Sequence, residues 1–274
     1  MAYAAWVILG GWMGMVLLMA ALFLWCRHGR HVGVVDAVWA LGVGGLALYY
    51  AALMPGDGLL RGLLVLFAGV WALRLGGHIL MDRVLGKPED GRYQDINAGW
   101  GADAPRRLFR FFQYQAFFAL VFSLPFVPLA MGRERPHPAQ VLFALLVWAV
   151  AIGGETLADA QLSRWRRDPA NHGQTCRKGL WRYSRHPNYF FEWVYWWTYV
   201  LLGIHVAAGW ITLLGPLLMF LFLYRVTGIP YTEKQALKTR GDDYRRYQAE
   251  VNAFFPWRPR RQRRGGQPEK HRCC

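Results

Sequence analysis

The sequence lacks the cysteine and histidine patterns of metal-binding and disulfide-rich proteins. No Cys-x-x-Cys pair occurs among its four cysteines, which are Cys26, Cys176, Cys273 and Cys274. Structural zinc sites and disulfide frameworks need paired cysteines at regular spacings, so neither is indicated and reduced thiols are expected. The eight histidines are scattered and no His-Glu-x-x-His motif is present, so we predict no metal site.

Two further absences concern nucleotides and nucleic acids. No Gly-x-Gly-x-x-Gly fingerprint follows a strand pattern, which argues against a Rossmann domain. Acidic residues are few, with 17 Asp and Glu against 32 Lys and Arg, and the formal net charge is +15. Seven of these basic residues lie in residues 258–274, which hold one acidic residue. Because no helix-turn-helix or zinc-finger spacing accompanies the charge, we expect no nucleic-acid partner and a disordered basic tail over 258–274.

Apolar residues, in contrast, are abundant and come in long blocks. Hydrophobic residues make up 54% of the 274 positions. Residues 3–25 carry no charge and are long enough to cross a bilayer core of roughly 30 Å at 1.5 Å per residue. Similar stretches follow at residues 34–53, 59–81, 108–131 and 139–162, with two shorter ones within 190–226. The sequence therefore predicts an all-α, polytopic membrane bundle of about seven transmembrane helices.

Two local patterns refine this prediction. Pro125 and Pro128 lie within the fourth stretch, so we expect a kink or an early helix end near Leu124. Charged and aromatic residues interleave with a helical period over 231–253, which predicts an amphipathic helix on the solvent side.

The distribution of basic residues predicts the orientation in the membrane. Of the 32 Lys and Arg, 28 fall in four segments, which are residues 27–30, 82–110, 162–187 and 225–274. In a seven-span topology all four segments lie on one side, and the positive-inside rule makes that side the cytoplasm. We therefore expect the C-terminal helix in the cytoplasm and the N-terminus outside.

Three ionisable residues lie inside predicted spans. Asp36 is near the start of the second span, and Arg74 and His78 are four positions apart in the third, on one helical face. Charged groups at such depth are costly unless they face a cavity or a partner, and they often mark function. We therefore take Asp36, Arg74 and His78 as candidate catalytic residues, with a structural ion pair as the alternative.

A polar segment over residues 179–192 precedes the sixth apolar stretch. Pro187 suits the first position of a helix, where free N–H groups can bind an anion. Arg182, Arg185 and His186 surround this helix start, and arginine is suited to holding phosphate. Tyr183, Asn188 and Tyr189 add neutral hydrogen-bonding groups. The segment could hold a nucleotide, or its basic and aromatic residues could simply meet lipid headgroups.

Two carboxylates precede this segment near the end of the fifth span. Glu155 and Asp159 are four residues apart and share a helical face, and two carboxylates on one face are costly to expose to lipid. Carboxylates can accept hydrogen bonds from ribose hydroxyls or an amide, and Asn171 in the following arginine-rich loop can add a neutral contact. Together with the arginines, they predict a polar cofactor site at the cytoplasmic end of the last spans.

Several spaced pieces of residues 155–257 resemble one known family. They are Glu155-Thr-Leu-Ala-Asp159-Ala-Gln161-Leu, Gly179-Leu-Trp-Arg-Tyr-Ser-Arg-His-Pro-Asn-Tyr189, Gly228-Ile-Pro230, Glu233, Asp243-Tyr244 and Phe255-Pro256-Trp257. In this order they resemble the C-terminal domain of the membrane steroid 5α-reductase family, in particular its bacterial branch. Phe191 departs from the pattern, because the family usually has Gly at that position, just before Glu192.

The resemblance implies an NADPH-dependent oxidoreductase. Its expected reaction is hydride transfer to a carbon–carbon double bond conjugated to a ketone, in a small lipophilic substrate that is steroid-like or another lipid. At matching positions it implies cofactor contacts from Glu155, Asp159, Arg166, Tyr183, Asn188, Glu192, Arg225, Glu233 and Tyr244. Arg185, His186 and Asn171 join this set from the chemistry of their side chains.

These expectations define one membrane domain over residues 1–257. The helices of 1–131 would enclose the substrate, and the half over 139–257 would bind the cofactor. The sequence leaves the oligomeric state open, with a monomer as one option. The alternative is an S-adenosylmethionine-dependent methyltransferase of the isoprenylcysteine carboxyl methyltransferase type, which shares an Arg-His-Pro segment and a later Glu. Arg225, Glu155 and Asp159 favour NADPH, because S-adenosylmethionine carries no phosphate. A non-catalytic lipid-binding scaffold is a third possibility.

Overall fold

The computed structural model describes residues 2–27, 31–89 and 103–260, and across these ranges it contains helices and no strand. The all-α prediction is therefore confirmed. The α-helices are α1 (Ala2–Cys26), α2 (Val34–Leu53), α3 (Gly58–Ile79), α4 (Ala104–Ser123), α5 (Val127–Met131), α6 (Pro138–Arg167), α7 (Pro187–Gly203), α8 (Leu214–Leu221) and α9 (Ile229–Glu250). The predicted tail beyond residue 260, with Cys273 and Cys274, lies outside the described residues.

Six helical segments are long and apolar enough to cross a membrane, as judged over the described residues. They are Ala2–Cys26, Val34–Leu53, Gly58–Val84, Ala104–Met131, Pro138–Arg167 and Gly209–Glu250. These segments fit a multi-pass integral membrane protein. Helix α7, at 17 residues, corresponds to the predicted sixth span but is not among the six.

Local sequence explains where several helices begin and end. The carboxylate of Asp57 caps α3 by accepting hydrogen bonds from the N–H groups of Leu59 at 2.9 Å and Leu60 at 3.2 Å. Helix α4 ends at Ser123, and a 3-10 turn over Leu124–Phe126 leads into α5. The break expected near Leu124 is therefore present, because the prolines that follow cannot donate the hydrogen bonds of a continuous helix.

The last helical segment changes character along its length. A 3-10 turn over Gly209–Leu213, helix α8 and a π-helical turn over Phe222–Val226 form its apolar part. Helix α9 follows and carries nine charged residues among its 22, so the apolar part ends before α9. At Gly241 the backbone leaves the helical region, with φ of 50° and ψ of −122°, and α9 is kinked there.

The chain divides into two compact units. The first unit comprises Met1–Ile152 and Trp193–Met219, and the second comprises Gly153–Glu192 and Phe220–Cys274. Aromatic side chains fill the core of the first unit, where the rings of Trp71 and Tyr195 stack with centroids 5.4 Å apart. Helices α2 and α3 pack closely in the same unit, since a Cβ on Gly44 would lie 2.3 Å from the Cβ of Ala72.

Candidate functional site

The two units separate the two groups of candidate residues. Every predicted cofactor residue lies in the second unit, and Asp36, Arg74 and His78 all lie in the first. The second unit contains the C-terminal half of α6, the loop to α7, the first residues of α7, and the chain from Phe220 through α9.

A hydrogen bond joins the predicted carboxylate of α6 to the start of α7. The amide Nδ2 of Asn188 donates to Oδ1 of Asp159 at 3.0 Å. About one helical turn from this hydrogen bond, the ring of Phe191 lies against Gly154. The two contacts pair the helices in antiparallel register, so the neighbouring carboxylates Glu155 and Glu192, both buried, lie at the same level. This part of the unit brings four of the predicted residues together.

Helix α7 begins at Pro187 as predicted, and two backbone N–H groups at its start already have side-chain acceptors. The N–H of Tyr189 donates to Oδ1 of Asn188 at 3.0 Å, and the N–H of His186 donates to Oγ of Ser184 at 3.1 Å. The sequence predicts free N–H groups at this helix start, which could bind an anion. The side chains of Ser184 and Asn188 instead satisfy these donors, as capping residues commonly do.

The residue that opens this segment is held by a side chain of α6. Gly179 adopts a left-handed backbone conformation with φ of 59°. A Cβ at this position would lie 2.4 Å from the amide of Gln161, whose Oε1 accepts a hydrogen bond from the N–H of Leu180 at 2.9 Å. Trp181 adds a second tie, because its indole N–H donates to the carbonyl of Ala158 at 2.9 Å. The start of the polar segment 179–192 is thus hydrogen-bonded to α6.

Arg185, His186 and Glu233, three predicted cofactor residues, form one closed cluster. Glu233 Oε1 accepts from Nε of Arg185 at 2.7 Å and lies 3.2 Å from Nε2 of His186. Arg185 also donates to the carbonyls of Gln248 at 3.1 Å and Val251 at 2.6 Å. The amide of Gln248 donates to Glu233 Oε2 at 2.6 Å. The cluster therefore joins the segment before α7 to both ends of α9.

The electrostatics of this cluster favour an ionised Glu233, a charged Arg185 and a neutral His186. Burial raises the pKa of Glu233, but hydrogen bonds from His186 and Arg185 outweigh it and lower the pKa to about 2. Burial lowers the pKa of His186 below its usual range, against the opposing effect of Glu233. Glu233 is then a carboxylate beside a charged Arg185, and neutral His186 can donate its Nε2–H to it. Such a cluster orders the backbone around the start of α7.

Helix α9 is bound to the preceding loop through Asp243, which the family pattern includes, and through Thr175, Arg177 and Glu250, which the sequence analysis did not single out. Arg177 donates to Oδ1 of Asp243 at 3.0 Å and to Oε2 of Glu250 at 3.2 Å. The N–H of Thr175 donates to Oδ2 of Asp243 at 2.8 Å. Tyr244, a predicted cofactor residue, is buried and packs against Tyr247 with ring centroids 5.8 Å apart. Only the grouping of Asp243 with Tyr244 in the family pattern pointed to this region.

The remaining predicted cofactor residues are more accessible. Arg166, Tyr183 and Arg225 are exposed, and the guanidinium of Arg225 lies 5.8 Å from the ring centre of Tyr224. Asn171 is half-buried and its amide donates to the carbonyl of Trp165 at 3.1 Å. Exposed arginines can receive a phosphate, whereas Arg185 is committed to Glu233 and backbone carbonyls.

In the first unit, the candidate catalytic residues are all half-buried. Gly76 of α3 faces Ala37 of α2, since a Cβ on Gly76 would lie 3.4 Å from the Ala37 carbonyl oxygen. This register places Asp36 at the level of the last turn of α3, which contains His78. An apolar groove of about 500 Å³ lies between α1 and α2, and none of the three candidates is among its lining residues.

Comparison with known proteins places these residues within a family match. A family model described as "Protein of unknown function (DUF1295)" matches residues 22–251. The match spans most of the chain and includes every candidate residue from Asp36 to Tyr244. A search of curated proteins gave no match.

Proposed function

The chain belongs to the DUF1295 family, and we propose that it is an NADPH-dependent membrane reductase related to the steroid 5α-reductases. Its proposed reaction is hydride transfer to a carbon–carbon double bond conjugated to a ketone in a lipophilic, steroid-like or other lipid substrate. One observation carries the proposal: a single compact unit contains the Asp159–Asn188 pair, two further buried carboxylates and the exposed arginines Arg166 and Arg225.

The chemistry of this donor set fits a phosphorylated dinucleotide. A carboxylate accepts several hydrogen bonds, so Asp159 can accept from a ribose hydroxyl while it holds Asn188. Arg166 and Arg225 can bind phosphate oxygens through charge-assisted hydrogen bonds, which are stronger than neutral ones. NADPH, when bound, would supply the hydride. The second unit thus offers acceptors for the sugar and donors for the phosphates.

The closed cluster of Arg185, His186 and Glu233 is assigned a positioning role. Its side chains are bound to one another and to α9, so they hold the residues just before Pro187. A fixed start of α7 also fixes Asn188, the next residue, and through it the geometry at Asp159. Glu192 and Tyr244, both buried, support the same framework.

On the substrate side we propose a role for the first unit. Polarising the ketone oxygen stabilises the negative charge that develops during hydride transfer. Asp36, Arg74 and His78 are the ionisable residues proposed for this task. Arg74 and His78 can donate to an oxygen, and Asp36 can orient such a donor.

The proposed topology includes α7 as a seventh span. Its 17 residues are followed by a short break and by the apolar segment that begins at Gly209. Counting α7, the basic segments near α9 and before α7 fall on one side, which the positive-inside rule makes cytoplasmic. The cofactor site would then face the cytoplasm and the N-terminus the other side.

A binding experiment tests the cofactor directly. Purified protein in detergent is titrated with NADPH, NADH and S-adenosylmethionine, and binding is followed by isothermal titration calorimetry. We expect NADPH to bind most tightly. If either arginine contacts the 2′-phosphate, which NADH lacks, Arg166→Ala or Arg225→Ala should weaken NADPH binding more than NADH binding. The loss of one such contact should weaken NADPH binding roughly ten- to a hundredfold, or about 1.5–3 kcal/mol.

Arg245→Ala serves as the matched control, because Arg245 is exposed in the same unit and pairs with Asp242 at 2.7 Å. It should leave NADPH affinity unchanged. Absence of binding to both nicotinamide cofactors would refute the proposal. Binding of S-adenosylmethionine without competition from NADPH would favour the methyltransferase alternative.

A further inference from the structure

The irregular C-terminal segment of the second unit, residues 251–260, is held in a defined position. The N–H of Arg185 donates to the carbonyl of Asn252 at 2.9 Å, and Oγ of Ser184 donates to that of Phe254 at 2.8 Å. Further along, the N–H of Trp257 donates to the carbonyl of Tyr183 at 2.9 Å. Because these bonds recur along the segment, the side chains that it exposes form a fixed surface.

Aromatic contacts show where this surface lies relative to the apolar segment. Phe220 is in α8, and its ring centroid lies 6.3 Å from that of Phe255 and 5.2 Å from that of Phe254. Phe190, in the first turn of α7, also contacts Phe255, with centroids 6.2 Å apart. Phe255 therefore lies beside Phe220 of α8, which is six residues before the apolar segment ends at Val226, and Phe255 is half exposed. In a membrane-spanning protein this position corresponds to the edge of the hydrocarbon core.

Beyond Phe255 the exposed side chains become amphipathic and basic. Tyr183, Pro256, Trp257 and Arg258 line a cavity of about 450 Å³. Trp257 is 72% exposed and Tyr183 43% exposed, which is unusual for such large aromatic side chains away from an interface. We call Tyr183, Phe255, Trp257 and Arg258 the interfacial patch.

The interfacial patch and its neighbours in the sequence carry only basic charge. Glu250, whose carbonyl accepts from the N–H of Arg260, is paired with Arg177 at 3.2 Å. Arg182, Arg258 and Arg260 are exposed. No Asp or Glu occurs in residues 176–191 or 251–268, which include all of the patch. A ligand of this surface should therefore be anionic, with an apolar part that can contact Phe255.

We propose that the interfacial patch binds the headgroup of an anionic phospholipid. The phosphate would be held by Arg258 and Arg182, while Trp257 and Tyr183 would lie at headgroup depth, where such rings are enriched. Tyr183, which the family resemblance implies as a cofactor contact, is a lipid contact in this proposal. The acyl chains would extend along Phe255 toward the apolar segment. The interfacial patch suits a lipid better than a free nucleotide, because its edge at Phe255 is apolar and lies beside the apolar segment.

Native mass spectrometry of the full chain in detergent tests the proposal. The protein is titrated with dioleoylphosphatidylglycerol and, separately, with dioleoylphosphatidylcholine, and bound lipids are counted. We expect preferential binding of phosphatidylglycerol. The double variant Trp257→Ala/Arg258→Ala should lose at least fivefold in affinity for its tightest phosphatidylglycerol site, and Arg258→Gln alone should lose about threefold.

Arg245→Ala is again the control, because it removes an exposed arginine of the same unit and leaves the basic residues after 260 in place. It should bind phosphatidylglycerol like the parent protein. Equal losses in the control and the patch variants, or no preference between the two lipids, would overturn the proposal. Displacement of phosphatidylglycerol by NADPH or inorganic phosphate would also overturn it and assign the cavity to a soluble phosphate. Thermal unfolding of each variant identifies any that is misfolded. If the double variant is misfolded, the phosphatidylglycerol affinity of Arg258→Gln tests the proposal.

Discussion

The ring of Phe191 occupies the space that a side chain at Gly154 would need. A Cβ on Gly154 would lie 2.4 Å from Cε1 and 2.5 Å from Cδ1 of Phe191. The steroid 5α-reductase pattern, which residues 155–257 resemble, usually has Gly at the position of Phe191. This chain instead has the large residue on α7 and the small one on α6. Gly154 and Phe191 immediately precede Glu155 and Glu192 in the sequence, so this contact adjoins the two buried carboxylates.

The first prediction follows from this contact. Gly154→Ala should destabilise the protein by about 1–3 kcal/mol, because the added methyl group overpacks the Phe191 ring. In the Phe191→Ala background the same substitution should be nearly neutral, since the ring is gone. Thermal unfolding of the four proteins in a double-mutant cycle measures the coupling. Additive effects would show that the two positions do not share this space.

The second prediction compares two glycines with the same backbone conformation. Gly179 and Gly173 have φ of 59° and 74°, but only Gly179 is crowded, by the amide of Gln161. Ala at Gly173 should cost only the left-handed strain, about 1–2 kcal/mol. Gly179→Ala should cost more, because the methyl group also displaces Gln161 from the N–H of Leu180. Equal shifts in melting temperature for the two variants would contradict the crowding argument.

The third prediction concerns the buried carboxylate of the cluster before α7. Glu233→Gln keeps the shape but removes the charge that faces Arg185, whose side chain is only 12% exposed. Leaving that guanidinium without its counter-charge should cost about 3–5 kcal/mol. Glu250→Gln is the matched control, because the Arg177–Glu250 pair is about a third exposed and should contribute at most about 1 kcal/mol. Chemical unfolding of both variants distinguishes these costs, and similar values would argue against a buried cluster.

The helices could be predicted well from the sequence, because their signals are local. The run over 34–53 coincides with α2, Pro187 begins α7, and the prolines after Leu124 end α4. Each of these depends on residue type at neighbouring positions: an uninterrupted apolar stretch, or a proline that lacks an N–H.

The partners of the polar side chains could not be predicted in the same way. The sequence predicts Arg185 as a phosphate ligand, yet its side chain binds Glu233, 48 positions later in the chain. Nothing in the periodicity around Arg185 encodes that choice, because it depends on the tertiary path of α9. The kink at Gly241 was likewise missed, since a single glycine within a helical pattern is commonly tolerated. The predicted phosphate contacts of exposed residues such as Arg166 and Arg225 remain predictions, which cofactor binding will test.

The last prediction concerns Asp36 and separates a catalytic role from a structural one. Asp36→Asn keeps the shape of the side chain and removes its charge. If Asp36 orients a donor toward the substrate ketone, turnover should fall at least tenfold while NADPH affinity stays nearly unchanged, because the proposed cofactor residues belong to the second unit. Turnover is measured as NADPH oxidation with a 4-ene-3-ketosteroid, beside the exposed control Asp242→Asn, which should retain it. If Asp36 only balances a buried cation, the variant should instead lose about 3–5 kcal/mol of stability and lose cofactor together with the fold. Thermal unfolding and NADPH titration of the same preparation separate the two outcomes, and early unfolding would refute the catalytic role.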